Sequence, residues 1–164
     1  MSNCFTQLCA AALLAFSLAL GGAAQAETSP AGVIVVPSAY GMVETVERLK
    51  KDIAAKGITF FAEVDQGALA AVAGVPNVRP SVLLLFGNPP LGTQFLLANQ
   101  QAGLDWPVRM LVYQDEKTRG IMVAWTDFAW IAKRHGIASQ PAQFKMATEV
   151  AASIASAATA AVPR

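Results

Sequence analysis

Hydrophobic and polar positions along this chain change period several times, and each change marks an element. Gly32 to Val36 is a short β-branched run closed by Pro37, which predicts a first strand. Met42, Val46, Leu49 and Ile53 then recur at i, i+4, i+7 and i+11, with Glu44 to Arg48 and Glu47 to Lys51 paired beside that stripe. The spacing predicts an amphipathic helix, for which Gly57 supplies a left-handed stop. From Ile58 the period drops to two, so that Ile58, Phe60, Ala62 and Val64 are expected on one face of a strand and Thr59, Phe61, Glu63 and Asp65 on the other. Asp65 can cap a short Ala-rich helix that reaches Val72, before Gly74 and Pro76.

Val82 to Phe86 is an unbroken apolar run, the pattern of a central strand buried on both faces, and it stops at Gly87-Asn88-Pro89-Pro90. A helix over Thr93 to Gln100 follows, with Phe95, Leu96 and Ala98 to pack. Pro107 opens a strand through Tyr113, the turn Asp115 to Gly120 reverses it, and Ile121 to Thr126 returns as its antiparallel partner. Asp127 caps a helix on which Phe128, Ile131, Ala132 and His135 share a face, with Gly136 at its end. A last helix starts near Pro141, and its tail, Ala151 to Ala161, is mostly small residues. The order β, α, β, α, β, α, β, β, α, α predicts a single compact α+β domain. Its sheet is mixed or antiparallel, of about five strands, and covered by helices rather than doubly wound.

Composition narrows the function classes. The 164 residues are 54% hydrophobic with a formal net charge of +1, and no basic run is longer than Lys50-Lys51 or Lys133-Arg134. Attraction to nucleic acid is therefore not expected. Leu8 to Leu20 is nearly all apolar and leads through Gly21-Gly22 to Ala24-Gln25-Ala26, the shape of a secretory signal peptide over residues 1–26, although no Lys or Arg precedes the apolar stretch. That stretch is shorter than the ~20 residues a membrane-spanning helix needs. The expected product is a periplasmic or secreted domain over 27–164, without a membrane span, with a core at 32–136 and a C-terminal helix at 140–161. Cys4 and Cys9 both fall in the leader, so thiol chemistry and cysteine metal sites drop out of the mature chain. One histidine leaves too few ligands for a metal centre, and no Gly-x-Ser-x-Gly, phosphate loop or dinucleotide loop is present, so neither metal nor cofactor is expected.

Several residues remain as candidates, each beside an ordinary structural role. Asn88 and Pro89 leave a strand end and precede a helix N-terminus, where backbone N–H groups favour anions; the same residues are common in plain turns. Glu63 and Asp65 lie two apart on a strand, about 7 Å from each other, and could act as paired acid and base. A solvated edge with Asp65 as a cap explains them too. Asp105 and Trp106 stand at a strand entry, where the indole could wall a pocket or sit in the core. Arg79 and Arg109 could bind a carboxylate or phosphate through the guanidinium fork, or pair with Asp105 or Glu63. His135 ends a helix, where a bond to a carbonyl competes with a part in ligand binding.

Taken in order, Glu44 to Leu49, Phe61 to Asp65, Leu85-Phe86-Gly87-Asn88-Pro89, Asp105-Trp106-Pro107, Val112-Tyr113 and Asp127 to His135 resemble domain-of-unknown-function family 302, a set of small bacterial and archaeal α+β domains. The likeness covers about Gly32 to Gly136. Asp65-Gln66 stands where many relatives look like Asp-His, and Trp106 stands where a Leu is common. The resemblance implies a compact α+β fold and a homodimer, and it brings no activity. The expected function is a binding or interaction module, dimeric through its sheet or last helix, that takes up a small anionic ligand near Asn88. Two alternatives stand beside it. One is an enzyme of lyase, isomerase or hydrolase type with Glu63 or Asp65 as general base and Arg109 steadying negative charge. The other is a purely structural module with an exposed apolar patch around Trp106 or Trp130.

Overall fold

The computed structural model describes residues 27–159. The expected leader over residues 1–26, with Cys4 and Cys9, lies outside them. The chain runs β1 (Glu27–Thr28), β2 (Val33–Pro37), α1 (Met42–Ala55), β3 (Thr59–Asp65), α2 (Gln66–Val72), β4 (Ser81–Gly87), α3 (Pro89–Ala98), a 3-10 turn (Gln100–Leu104), β5 (Val108–Gln114), β6 (Ile121–Thr126), α4 (Phe128–Arg134) and α5 (Pro141–Thr159). One sheet results, in the order β1-β2-β6-β5-β4-β3, and every neighbouring pair is antiparallel. This is the α+β domain expected, with the two-residue β1 added at one edge.

Crossing from β2 at one side of the sheet to β3 at the other, α1 buries its i, i+4, i+7, i+11 stripe: Val46, Leu49 and Ile53 are among the most enclosed side chains. Gly57 follows at φ +65°, a conformation that costs a residue with a Cβ and costs glycine nothing. In α5 the buried positions Phe144, Ala147, Ala151, Ile154, Ala155 and Ala158 make a second stripe. Its small members let the helix lie close to α1, while Phe144 stacks on Phe95 of α3 with ring centres 4.3 Å apart.

These helices and α4 meet one face of the sheet only. Ile34, Val36, Val82, Leu84, Met110, Val112, Val123 and Trp125 point into the common core. Their alternates Val33, Val35, Leu83, Leu85, Leu111 and Met122 remain half-exposed on the other face. The apolar run of β4 therefore departs from the expectation of burial on both faces. Its burial alternates, with Val82, Leu84 and Phe86 inside and Ser81, Leu83 and Leu85 half-open. A strand with apolar residues on both sides and a core on one leaves the second set without a partner among the described residues.

In β3 the expected alternation breaks at a bulge between Phe60 and Ala62. Phe60 pairs with Phe86 and Glu63 with Leu84, so Phe60 falls on the helix-covered face together with Glu63 and Asp65, while Ala62 and Val64 turn to the open face. One extra residue inverts every side chain after it. The α3 helix also starts earlier than the pattern suggested, because two prolines are compatible with a first helical turn and Asn88 closes it as the N-cap.

Candidate functional site

The sequence candidates fall into three places. Glu63 and Asp65 share a face, but each is engaged by its own neighbourhood. Glu63 pairs with Lys50 of α1 at 2.9 Å, and with Glu47 it holds the Lys50 ammonium above its ordinary pKa. Asp65 accepts from the Ala68 N–H at 2.8 Å and caps α2. Both are open to solvent, and neither lines any of the recesses described below. The geometry that a shared general-base site needs is not formed between them.

Asn88 and Pro89 sit at the start of α3. The amide oxygen of Asn88 accepts from Leu91 N–H at 3.4 Å, and its carbonyl accepts from Leu91 and Gly92 N–H at 3.0 and 2.8 Å. Pro89 and Pro90 carry no N–H at all. Every donor of this first turn is thus absent or occupied, and the helix end offers an anion no free backbone N–H. Beside it lies an apolar cavity of about 40 Å³, bounded by Asn88, Leu91, Gly92, Phe95 and Trp106. Trp106 lies directly over Gly92: a Cβ there would come within 2.1 Å of the indole nitrogen. Phe61, the extra residue of the bulge, meets the same indole edge-on at 5.9 Å. The indole walls this cavity and is only half-exposed. Trp130, for its part, covers Gly32 and is likewise half-exposed.

Asp105, Arg109 and His135 are brought together, and Arg134 joins them. Asp105 follows the 3-10 turn, and its side chain is 3% exposed. Its Oδ1 accepts from Arg109 at 2.7 Å and from Arg134 at 3.1 Å; its Oδ2 accepts from Arg134 at 3.0 Å and from His135 Nε2 at 2.7 Å. An ionised carboxylate only accepts, so the imidazole donates here. The histidine ring is 5% exposed and bonds this carboxylate rather than a helix-end carbonyl, while its own carbonyl accepts from Asn99 Nδ2 at 2.8 Å. Both arginine side chains are partly open, 45% exposed for Arg109 and 42% for Arg134, and Arg134 also lies 5.5 Å over the Trp130 ring. The other arginine candidate, Arg79, pairs with Glu116 instead. Arg134 carried no signal of its own in the sequence, since its partner is 29 residues away across a hairpin. Among the described residues no group of three His, Cys, Asp or Glu side chains could hold a metal ion, and no helix is long and apolar enough to cross a membrane.

Comparison with known proteins places the chain in a family. A solved structure of an uncharacterised conserved DUF302 protein from Bacillus stearothermophilus superposes with a TM-score of 0.70 at 18% identity, covering 77% of this chain and 98% of that one, which shows a shared fold. In sequence, a protein named fluoride-specific ion channel FluC 1 of Brucella suis is 35% identical over 106 residues, 65% of this chain and 41% of the relative. FluC 1 of Brucella abortus matches at the same identity over 38% of its length. The chain thus spans about two fifths of these curated relatives, and their channel name belongs to longer proteins. The profile described as "Domain of unknown function DUF302" matches residues 34–161, past Gly136 and through the last helix. By that match over most of its length, the chain belongs to the DUF302 family.

Proposed function

We propose that this domain is an exported interaction module that pairs with a second copy of itself through the open face of its sheet. The observation that carries the reading is the unbroken apolar run of β4 laid in a sheet with helices on one side. Leu83 and Leu85 on β4, Leu111 on β5, Met122 on β6 and Val33 and Val35 on β2 form one surface, and Arg109 at its end is the only charged residue that the register of β2 to β6 places on it. Five strands at ~4.8 Å spacing and five to seven residues at ~3.3 Å give a face of about 20 Å by 20 Å. That is about 400 Å² on each side, the scale of a small, transient pairing rather than of a standard interface of ~800 Å² per partner. An apolar, nearly uncharged surface can pack on a copy of itself, and two such sheets stack at about 10 Å. The occurrence of the same kind of domain within longer proteins named as channels also fits a unit that serves by association. The leader over residues 1–26 motivates the assignment to the exported compartment.

Leu111 lies near the centre of this face and is half-exposed, so Leu111→Asp should leave each copy folded and break the pair. Sedimentation at micromolar concentration is expected to show a two-copy species for the wild type and single copies for the variant. A monomeric wild type, or a variant that still pairs, would rule the reading out. N-terminal sequencing of the chain recovered from its native compartment should begin at Glu27; a chain beginning at Met1 removes the exported part.

A further inference from the structure

We infer that Arg109 and Arg134, held side by side over the buried Asp105 carboxylate, form the seat of an oxyanion: the carboxylate or phosphate group of a small ligand. The first ground is charge. Two guanidinium groups share one carboxylate, so the cluster carries an excess of positive charge even with a neutral imidazole at His135. The second is hydrogen-bonding capacity. Asp105 already accepts four contacts, two at each oxygen, and has nothing further to offer. Each guanidinium has five N–H donors. Of these, Arg109 commits only its Nη2 and Arg134 only its Nη1 to protein acceptors among the described residues. The remaining donors belong to side chains 45% and 42% exposed.

The third ground is preorganisation. Because both cations touch the same Oδ1, their bound nitrogens can be no farther apart than those two hydrogen bonds placed end to end. Free in solution, two such groups would repel one another; the buried carboxylate holds them at the separation at which one oxyanion can bridge both. The recess beside Arg109 and Asp105, bounded also by Val108, Thr126 and Phe128, encloses about 10 Å³, the size of one water or one anion oxygen. None of this requires the self-association proposed above, although Arg109 stands at the end of the same sheet face.

The test is calorimetric titration of the full chain at low ionic strength with inorganic phosphate and, separately, with acetate, with sodium chloride as reference. Saturable binding of either oxyanion, stronger than that of chloride, is expected, and the stronger of the two tells which group the ligand carries. Arg109→Gln or Arg134→Gln should weaken it about tenfold, the size of a lost charge-assisted bond, and the double variant should abolish it. Arg109→Lys keeps the positive charge beside Asp105 but loses the planar fork, so it should fold normally and still bind more weakly. Lys51→Gln, a distant exposed cation, should change nothing. The proposal is overturned if neither oxyanion saturates, if chloride binds as well, or if the folded Arg109→Lys and double variants bind like the wild type. Sedimentation of the same samples reports pairing separately, so a failure here is distinguishable from a failure of the dimer.

Discussion

Replacing Asp105 by Asn tests whether the cluster around it organises the domain. The substitution keeps the shape of the side chain and exchanges one acceptor oxygen for an NH2 donor. At the Oδ1 position that amide nitrogen faces Arg109 and Arg134; at the Oδ2 position it faces Arg134 and His135. The imidazole can turn acceptor by changing tautomer, but a guanidinium cannot, so at least one donor is left against a donor. With the side chain only 3% exposed, water cannot repair the mismatch at the carboxylate itself. A hydrogen bond to a charged group contributes about 1.5–3 kcal/mol. One is lost with the amide nitrogen at the Oδ2 position and two with it at Oδ1, and the partly open side chains of both arginines return part of that to solvent. The expected cost is about 2–4 kcal/mol. For a domain of this size that corresponds to a fall in Tm of roughly 7–14 °C. Thermal and urea unfolding followed by circular dichroism would measure it. Glu44→Gln serves as reference because it removes an exposed i, i+4 pair with Arg48 and should cost no more than about 0.5 kcal/mol. If Asp105→Asn is no more costly than Glu44→Gln, the carboxylate is not the hub described here, and the preorganisation of Arg109 and Arg134 loses its basis.

Three further outcomes follow from local geometry. Gly92→Ala should destabilise by about 1–3 kcal/mol, because the new methyl overlaps the Trp106 ring, although the same change in an open helix would stabilise it; a gain in Tm would show that the indole does not lie there. Thr45→Val should cost about 1 kcal/mol in urea titrations, since the fully buried hydroxyl bonds Ser38 Oγ at 2.6 Å and the Tyr40 carbonyl at 3.3 Å, and a neutral result would mean those bonds contribute nothing. At the β5–β6 turn, bonds from the Thr118 N–H and hydroxyl, and then from Lys117 N–H, hold the Asp115 carboxyl below the usual aspartate range. A depressed folded-state pKa means that its contribution to stability is complete above the unfolded value near 4 and is lost as pH falls through the lower, folded one. Carboxyl-carbon NMR titration should place the midpoint below the ordinary value, and a midpoint at or above that value would contradict the turn geometry.

How much was legible beforehand depended on the range of the interaction. Elements read well where the signal is local: the stripe of α1, the caps Asp65 and Asp127, the stops Gly57 and Gly136, and the β5–β6 hairpin all stand where the pattern put them. Each is decided within one or two turns of chain, by periodicity or by a side chain bonding its own backbone. Of the candidate residues, Asp105, Arg109 and His135 were visible as chemistry-bearing types but not as a set. Their association needs the 3-10 turn, the start of β5 and the end of α4 to meet, and no spacing along the chain encodes that meeting.

By itself, then, the sequence determined the kind and order of the elements, because backbone propensity and amphipathic period act over a few residues. Only the tertiary structure decided that the sheet is covered on one side, that the bulge at Phe61 turns Glu63 and Asp65 to that covered face, that Asn88 with two prolines closes the α3 N-terminus, and that Arg134 completes the cluster on Asp105. Those outcomes depend on which surfaces exclude water from which others. A run such as Val82 to Phe86 reads the same whether its second face meets a helix, another copy of the chain or solvent.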